Sequence, residues 1–256
     1  LIQNMHDIYL LAHQDDELFY LPSLVHNSNI TNSLFYFLTD GSFYGANPIE
    51  RDLETIRVLT SIGVPEKNVI FLHEELPILD TKLVHSLEIV FNYLSKSFKK
   101  LEVANLFTLD WEGGHPDHDA CFLLGAALSK TFKKDNFFSI PLYNAFESRK
   151  PFFKVMRPIR KSNELLRIKI PFRVACKVLF LIKNYRSQWK SWLGLFPFVF
   201  IQILINRSIV LLRNQPGWVC ERPHQSELYY EMRNWIQYDQ FIDAAHPFLK
   251  KHNLVR

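Results

Sequence analysis

Four short apolar runs rich in β-branched and aromatic residues, DIYLLAH (7–13), SLFYFLT (33–39), NVIFL (68–72) and ANLFTL (104–109), alternate with longer stretches of helical spacing. That alternation is the strongest constraint on the fold. A strand that is apolar on both faces must be buried on both, which a parallel sheet covered by helices provides. The stretch IERDLETIRVLTSIG (49–63) sets Leu53, Ile56, Leu59, Thr60 and Gly63 on one helical face and ends on a glycine stop. TKLVHSLEIVFNYLSKSF (81–98) has the same spacing. The pattern predicts an α/β fold, with a Rossmann-like, mostly parallel sheet flanked by helices. In such sheets function gathers at the carboxyl ends of the strands. His13 closes the first run, Asp40 follows the second and Asp110 to His118 follow the fourth, so three polar clusters are expected on one edge.

After residue 145 the pattern changes. FFKVMRPIR and LLRIKIPF read as short strands, and VACKVLFLIKNYRSQWKSW as a helix. The expected organisation of the 256 residues is an α/β core over 1–145 and an α+β extension over 146–256. The extension is expected to pack on the core as one domain and to contribute to the substrate pocket. LGLFPFVFIQILINRSIVLL (193–212) approaches the length of a membrane span. Pro197, Gln202, Asn206 and Arg207 interrupt it, which favours a buried or lid-forming helix, with a helix lying on a bilayer as the alternative.

Charge is uneven. Residues 149–190 hold thirteen Lys or Arg against one acid, Glu164, leaving the remainder acidic although the whole chain is +4. A basic segment of this kind suits a solvated face, an anionic substrate or an anionic membrane surface. No nucleic-acid-binding motif accompanies it, so nucleic acid is not an expected partner. Cys121, Cys176 and Cys220 are odd in number and widely spaced, which argues against a disulfide framework and for a reducing compartment. All three are expected in the core. The opening residues lack the basic-then-apolar pattern of a secretory leader. A cytoplasmic location is expected, with peripheral contact at the inner membrane surface; the sequence sets no oligomeric state.

The chemistry concentrates in two places. In LLAHQDDELF (10–19) a buried-looking strand ends in His13, Gln14, Asp15, Asp16 and Glu17, a cluster that is costly unless something positive sits among the acids. A helix is expected to start near Asp15 or Asp16, where a carboxylate also meets the positive helix end. In GGHPDHDA (113–120) Pro116 suits the first helical position, with His115 just before it and His118 one turn in. A divalent metal accounts for both clusters: two imidazoles and one carboxylate leave open positions, the arrangement of catalytic rather than structural zinc. The cation also lets a neighbouring carboxylate stay ionised as a base.

AHQDDE followed by HPDH resembles the zinc-dependent de-N-acetylases of the PIG-L/LmbE family, which remove acetyl groups from N-acetylglucosamine-type sugars. The usual first motif reads Ala-His-Pro-Asp-Asp-Glu, so Gln14 replaces its proline. LTDG (38–41), RDLETIRVLTSIGV (51–64), VIFL and YRSQ (185–188) extend the resemblance, which is good to about residue 145 and patchy beyond. The resemblance implies that His13, Asp16 and His118 hold Zn2+, or else Fe2+ or another divalent ion. Asp15 would be the general base toward water. His115 would polarise or protonate at the scissile amide, and Asp117 would orient His115. Arg51 matches a substrate-binding arginine and Asp80 a substrate-contacting acid. The family can place a tyrosine just ahead of its second motif, where this chain has Gly113. The implied substrate is a small N-acetylated sugar conjugate; the basic segment favours a phosphate on it and the apolar stretch a lipid link.

Two rivals compete. A His-x-Asp…His triad also fits a non-haem iron oxygenase, whose scaffolds are all-β. A non-catalytic sugar-binding protein would keep the metal as a relic but would lose the base, and Asp15 is present. The tail segment ERPHQSELYYE (221–231) has two readings as well. It is a surface turn with core tyrosines, or it folds over the metal edge so that His224 or a nearby tyrosine, Tyr229 or Tyr230, contacts the sugar or its phosphate and supplies the donor that Gly113 cannot.

Overall fold

The computed structural model describes residues 5–25, 27–149, 152–159, 165–219 and 222–254. Five strands form the parallel part of its sheet: β1 (His6–Leu11), β2 (Ser33–Phe37), β3 (Val69–Phe71), β4 (Val103–Leu109) and β5 (Phe137–Ile140). A two-stranded ribbon follows, β6 (Tyr143–Asn144) with β7 (Lys154–Val155). Two further strands, β8 (Leu165–Lys169) and β9 (Ser208–Asn214), join the main sheet antiparallel. The order is β3-β2-β1-β4-β5-β9-β8, so the sheet is mostly parallel and the α/β expectation holds. Chain direction across the sheet reverses between β1 and β4, the switch point at which open α/β sheets bind ligands.

Register locks these strands through aromatic rings. Phe35 on β2, Tyr9 on β1, Phe107 on β4 and Phe138 on β5 are cross-strand neighbours. They stack in sequence at 4.6, 4.6 and 5.4 Å between centroids. Each such pair contributes about 0.5–1.5 kcal/mol beyond the area it buries. A slip of one residue would turn every ring to the other face.

The helices are α1 (Leu21–Leu24), α2 (Pro48–Ser61), α3 (Leu87–Phe98), α4 (Pro116–Thr131), α5 (Phe172–Ile182), α6 (Trp189–Phe200), α7 (Tyr229–Met232) and α8 (Tyr238–Lys251). Every residue of α4 from Pro116 to Ser129 is buried, in keeping with the unbroken apolar run from Ala120 to Leu128. The element carrying His118 is therefore held from all sides.

Several expectations need correction. The stretch 193–212 is not one helix: α6 passes into a π-turn (Ile201–Ile205), and β9 begins at Ser208. Arg207, at φ 45°, makes the break. No helix among the described residues is long and apolar enough to cross a membrane. The helix expected near 174–192 is two helices, α5 and α6. The helix expected at Asp15 or Asp16 is only a 3-10 turn (Asp16–Phe19). On α2 the apolar face is not the one inferred: Leu53 and Thr60 are exposed, whereas Arg51, Asp52, Glu54 and Thr55 are buried. These polar groups face inward because each of the three charged ones finds a partner there, as described below. Cys121 is buried as expected, but Cys176 is exposed, because it falls on the outward face of α5. Cys220 lies outside the described residues.

Candidate functional site

β1 delivers its last residues to the carboxyl edge of the sheet, and the backbone then turns sharply. Asp15 takes φ 93°, a left-handed conformation that a non-glycine residue adopts at a cost of about 1–3 kcal/mol. Several bonds hold it there. Its amide donates to Glu17 Oε2 at 2.9 Å, and Arg51 Nη2 donates to its Oδ1 at 3.1 Å. Arg51 also donates to the carbonyls of Gly41 and Gln14, so one guanidinium ties α2 to the turns after β1 and β2. Gln14, which stands where the resemblance has proline, donates to Asp52 at 2.5 Å, and Asp52 meets His73 Nε2 at 2.8 Å. A hydrogen-bonded chain thus replaces ring stiffness.

The late YRSQ motif is part of the same support. Tyr185 donates its hydroxyl to buried Glu17. Ser187 donates from its backbone and its hydroxyl to Glu54, at 3.0 and 2.7 Å. The Arg-x-x-Glu helix therefore grips the first motif with Arg51 and the late motif with Glu54.

From the other side, α4 starts with Pro116 at its first position and His115 as its cap. His115 Nδ1 accepts the amide proton of Asp117 at 3.2 Å, which fixes the ring proton on Nε2. Gly114 is required in the preceding loop, because a Cβ there would strike the carbonyl oxygen of Tyr143. Asp117 was expected to orient His115, but its carboxylate points elsewhere. It accepts from the amides of Thr81 and Leu83 at 2.6 and 3.0 Å and meets His13 Nε2 at 3.1 Å. The reason is geometric: the cap commits His115 Nδ1 to the backbone amide of Asp117, while the carboxylate is taken up by Thr81, Leu83 and His13. The carboxylate near His115 Nε2 is Asp80, at 3.6 Å.

The centre is buried and crowded with ligand-type atoms. His13, His115 and His118 make ring contacts of 4.6, 5.3 and 5.1 Å. One ligand atom from each of these histidines lies within 4.8 Å of the others, and the same holds for His13, Asp80, His115 and Asp117. Asp16 bridges two of the histidines, with Oδ2 3.6 Å from His13 Nδ1 and Oδ1 3.3 Å from His118 Nε2. Asp80 is 3.4 Å from His13 and is seated by its backbone N–H, which donates to Asp40 Oδ1 at 2.9 Å. Asp80 Oδ1 and His118 Nδ1 are buried without a hydrogen-bond partner.

The electrostatics tell the same story. Burial would lower the His13 pKa, yet Asp80, Asp117 and Asp16 hold it well above the ordinary value. Burial would raise Asp16, but His118 and His13 outweigh it and keep the carboxyl ionised. Burial, then His13, push His115 well below the usual imidazole range. Burial pushes Asp15 up to about 7, against the opposing Arg51. Three buried carboxylates around His13 thus call for positive charge, and the mixed nitrogen and oxygen donors suit a divalent cation.

The tail does close over this edge, through Tyr229 of the segment marked in the sequence and through Trp235 beyond it. Tyr229 donates its amide to Gly113 O at 2.8 Å, and Trp235 packs its ring 4.9 Å from that of His115. His224 is buried 5.6 Å from the Phe146 ring, with Nδ1 2.8 Å from Ser226 Oγ and Nε2 unpartnered. Burial pushes its pKa down to about 4. Tyr143, on β6, was also missed: its ring is 5.4 Å from His118, and burial and the charges of Asp16, Asp15 and Asp80 raise its hydroxyl pKa. Thirty residues separate it from Gly113, so no local motif marks it. The iron-oxygenase rival loses its basis, since the fold is α/β rather than all-β and Asp15 is paired with Arg51.

No family model and no curated protein matches the chain. Solved structures do. A deacetylase of the teicoplanin biosynthesis pathway superposes with a TM-score of 0.60 at 15% identity, over 82% of this chain and 99% of that one. The A40926 pseudoaglycone deacetylase gives 0.61 at 12% identity, over 86% and 100%. The N,N'-diacetylchitobiose deacetylase of Pyrococcus horikoshii gives 0.57 at 17% identity, over 79% and 78%. The chain therefore has the fold of the LmbE/PIG-L-type deacetylases.

Proposed function

We propose that this protein is a zinc-dependent hydrolase that removes the acetyl group from an N-acetylglucosamine-type sugar conjugate. One observation carries the reading: buried His13, Asp16 and His118 converge beside Asp15, which Arg51 and Glu17 hold in a strained turn at the sheet's switch point. The fold it shares with sugar deacetylases supports the same reaction class.

His13, Asp16 and His118 would hold the ion, which supplies Lewis acidity, making water a better nucleophile and polarising an acyl oxygen. Asp15 accepts the proton of the attacking water and returns it to the leaving nitrogen. The products are acetate and a free amino sugar. His115 presents Nε2–H to the oxygen on which charge develops. Asp117 keeps His13 in one orientation, as groups behind metal-binding histidines generally do. Tyr143 offers a hydroxyl from β6, where Gly113 offers nothing. Arg51 fixes Asp15 through its carboxylate, and Asp80, 3.6 Å from His115 Nε2, stands where it would meet a substrate bound there. His224, whose Nε2 is buried and unpartnered, would take a substrate group only if the conjugate reaches past the centre to it.

Acetate release from a panel of N-acetylglucosamine conjugates, with and without phosphate or lipid, tests this reading. Turnover of at least one member supports it. A fully metal-loaded protein inert on all of them counts against it.

A further inference from the structure

Outside the His13–His118 centre, α5, α6 and the turn after them leave large apolar side chains exposed. Trp189, Leu193, Pro197, Ile201 and Ile205 follow one another at four-residue intervals, and all are exposed. Leu193 is 71% exposed, Ile205 63%, and Phe180 and Phe172 on α5 are 61% and 58%. Isolated apolar residues on a surface are ordinary, but a contiguous set containing Trp and Phe marks an interaction surface.

Charge identifies the partner. Arg173, Lys177, Lys183, Lys190 and Arg207 are exposed among these residues, and Lys183 Nζ lies over the Phe180 ring. Residues 165–220 contain no Asp or Glu at all. A second copy of the chain would set cation against cation, and protein interfaces are depleted in lysine. Anionic lipid headgroups complement the cations, while the Trp, Phe and Leu side chains enter the headgroup boundary. A groove lined by Arg157, Arg167, Gln202, Ser208 and Asn206, the residue after Ile205, offers polar groups suited to a headgroup phosphate.

The face is also joined to the buried centre. Ring contacts run from His118 to Tyr143 at 5.4 Å, from Tyr143 to Phe153 at 6.2 Å and from Phe153 to Phe198 on α6 at 5.8 Å. Phe198 is itself exposed. An aromatic wall therefore connects the histidines to the apolar surface.

We propose that the outward face of α5, α6 and the turn to Ile205 docks on an anionic lipid bilayer, with the aromatic wall leading from that surface to the His13–His118 centre. Tyr185 and Ser187, between the two helices, bond to Glu17 and Glu54, so the docked element is fastened to the turn that holds Asp15. No helix enters the bilayer in this arrangement; the protein lies on it.

Co-sedimentation of the full chain with phosphatidylcholine vesicles, with and without phosphatidylglycerol, tests the proposal. The protein is expected to pellet with the anionic vesicles and to be released as salt rises. Leu193→Asp combined with Ile205→Asp is expected to weaken binding by about ten- to hundredfold. Both side chains are exposed, so the variant should keep its circular dichroism spectrum. Trp189 emission should shift to the blue on binding, and Trp189→Phe should remove that shift. No binding to anionic vesicles overturns the proposal. So does binding that the double variant leaves intact, which would mean that charge alone acts. A wild-type dimer that the double variant splits overturns it in favour of a second copy. Vesicle binding reads neither metal nor acetate, so its failure is distinct from failure of the deacetylase reading.

Discussion

Asp117 Oδ2 lies 3.1 Å from His13 Nε2, so the helix start that carries His115 and His118 is bonded directly to the histidine that follows β1. The same carboxylate accepts the amides of Thr81 and Leu83, which pins the loop bearing Asp80. One buried acid thus sets the spacing of three segments that are far apart in sequence.

Asp117→Asn would place an amide NH2 among N–H donors and could no longer satisfy all of them. Removing a group of this kind behind a metal-binding histidine typically lowers metal affinity about 10- to 100-fold. Competition against a chromophoric chelator should show that drop while His115 and His118 are untouched. Unchanged affinity would mean that His13 is oriented without Asp117.

Tyr185→Phe removes the hydroxyl that bonds to buried Glu17. An unsatisfied buried group costs about 1–3 kcal/mol, which denaturant unfolding would read as a lower midpoint. Glu17 also holds the Asp15 amide, so turnover should fall as well. A variant as stable and as active as the parent would reduce the late motif to a surface feature.

Much of this was legible in the sequence. The parallel sheet followed from four apolar runs, and the three polar clusters met on one edge because strand ends in such a sheet share a side. His13, Asp15, Asp16, His115 and His118 were each marked by a local motif. The support was harder to read. Arg51, Asp52 and Glu54 occupy a buried helix face that apolar periodicity assigned to Leu53 and Thr60, because ion pairs and hydrogen bonds, not hydrophobicity, chose the face. Tyr143 and Trp235 reach the centre only through tertiary folding. The break of 193–212 into α6 and β9 was hidden by a composition equally suited to a buried helix or a buried strand.

Tyr143→Phe should lower kcat on the order of 10²-fold, the usual cost of losing a donor to a developing oxyanion. Metal content should not change, since Tyr143 contacts His118 by its ring alone. Steady-state kinetics together with metal analysis separates the two effects. Equal kcat would leave the place of Gly113 unfilled.

His73 carries a stability prediction with a defined sign. Its bond to Asp52, against the opposing effect of partial burial, raises its pKa above 6.5. A raised histidine contributes stability that is full below the unfolded value, about 6.5, and is lost as pH rises through the folded value. The difference in melting temperature between the parent and His73→Gln should therefore be largest below pH about 6.5 and shrink toward alkaline pH. A gap that widens with pH would contradict the pairing.

The most direct measurement strips the protein of metal and restores one equivalent of zinc. Acetate release from an accepted N-acetylglucosamine conjugate is then compared between the parent and Asp15→Asn at equal metal content. Zinc should restore turnover to the parent, and the Asn variant should bind zinc equally yet run about 10²- to 10⁴-fold slower, the usual cost of losing a general base. Full turnover without metal, or an Asn variant as fast as the parent, would contradict the account.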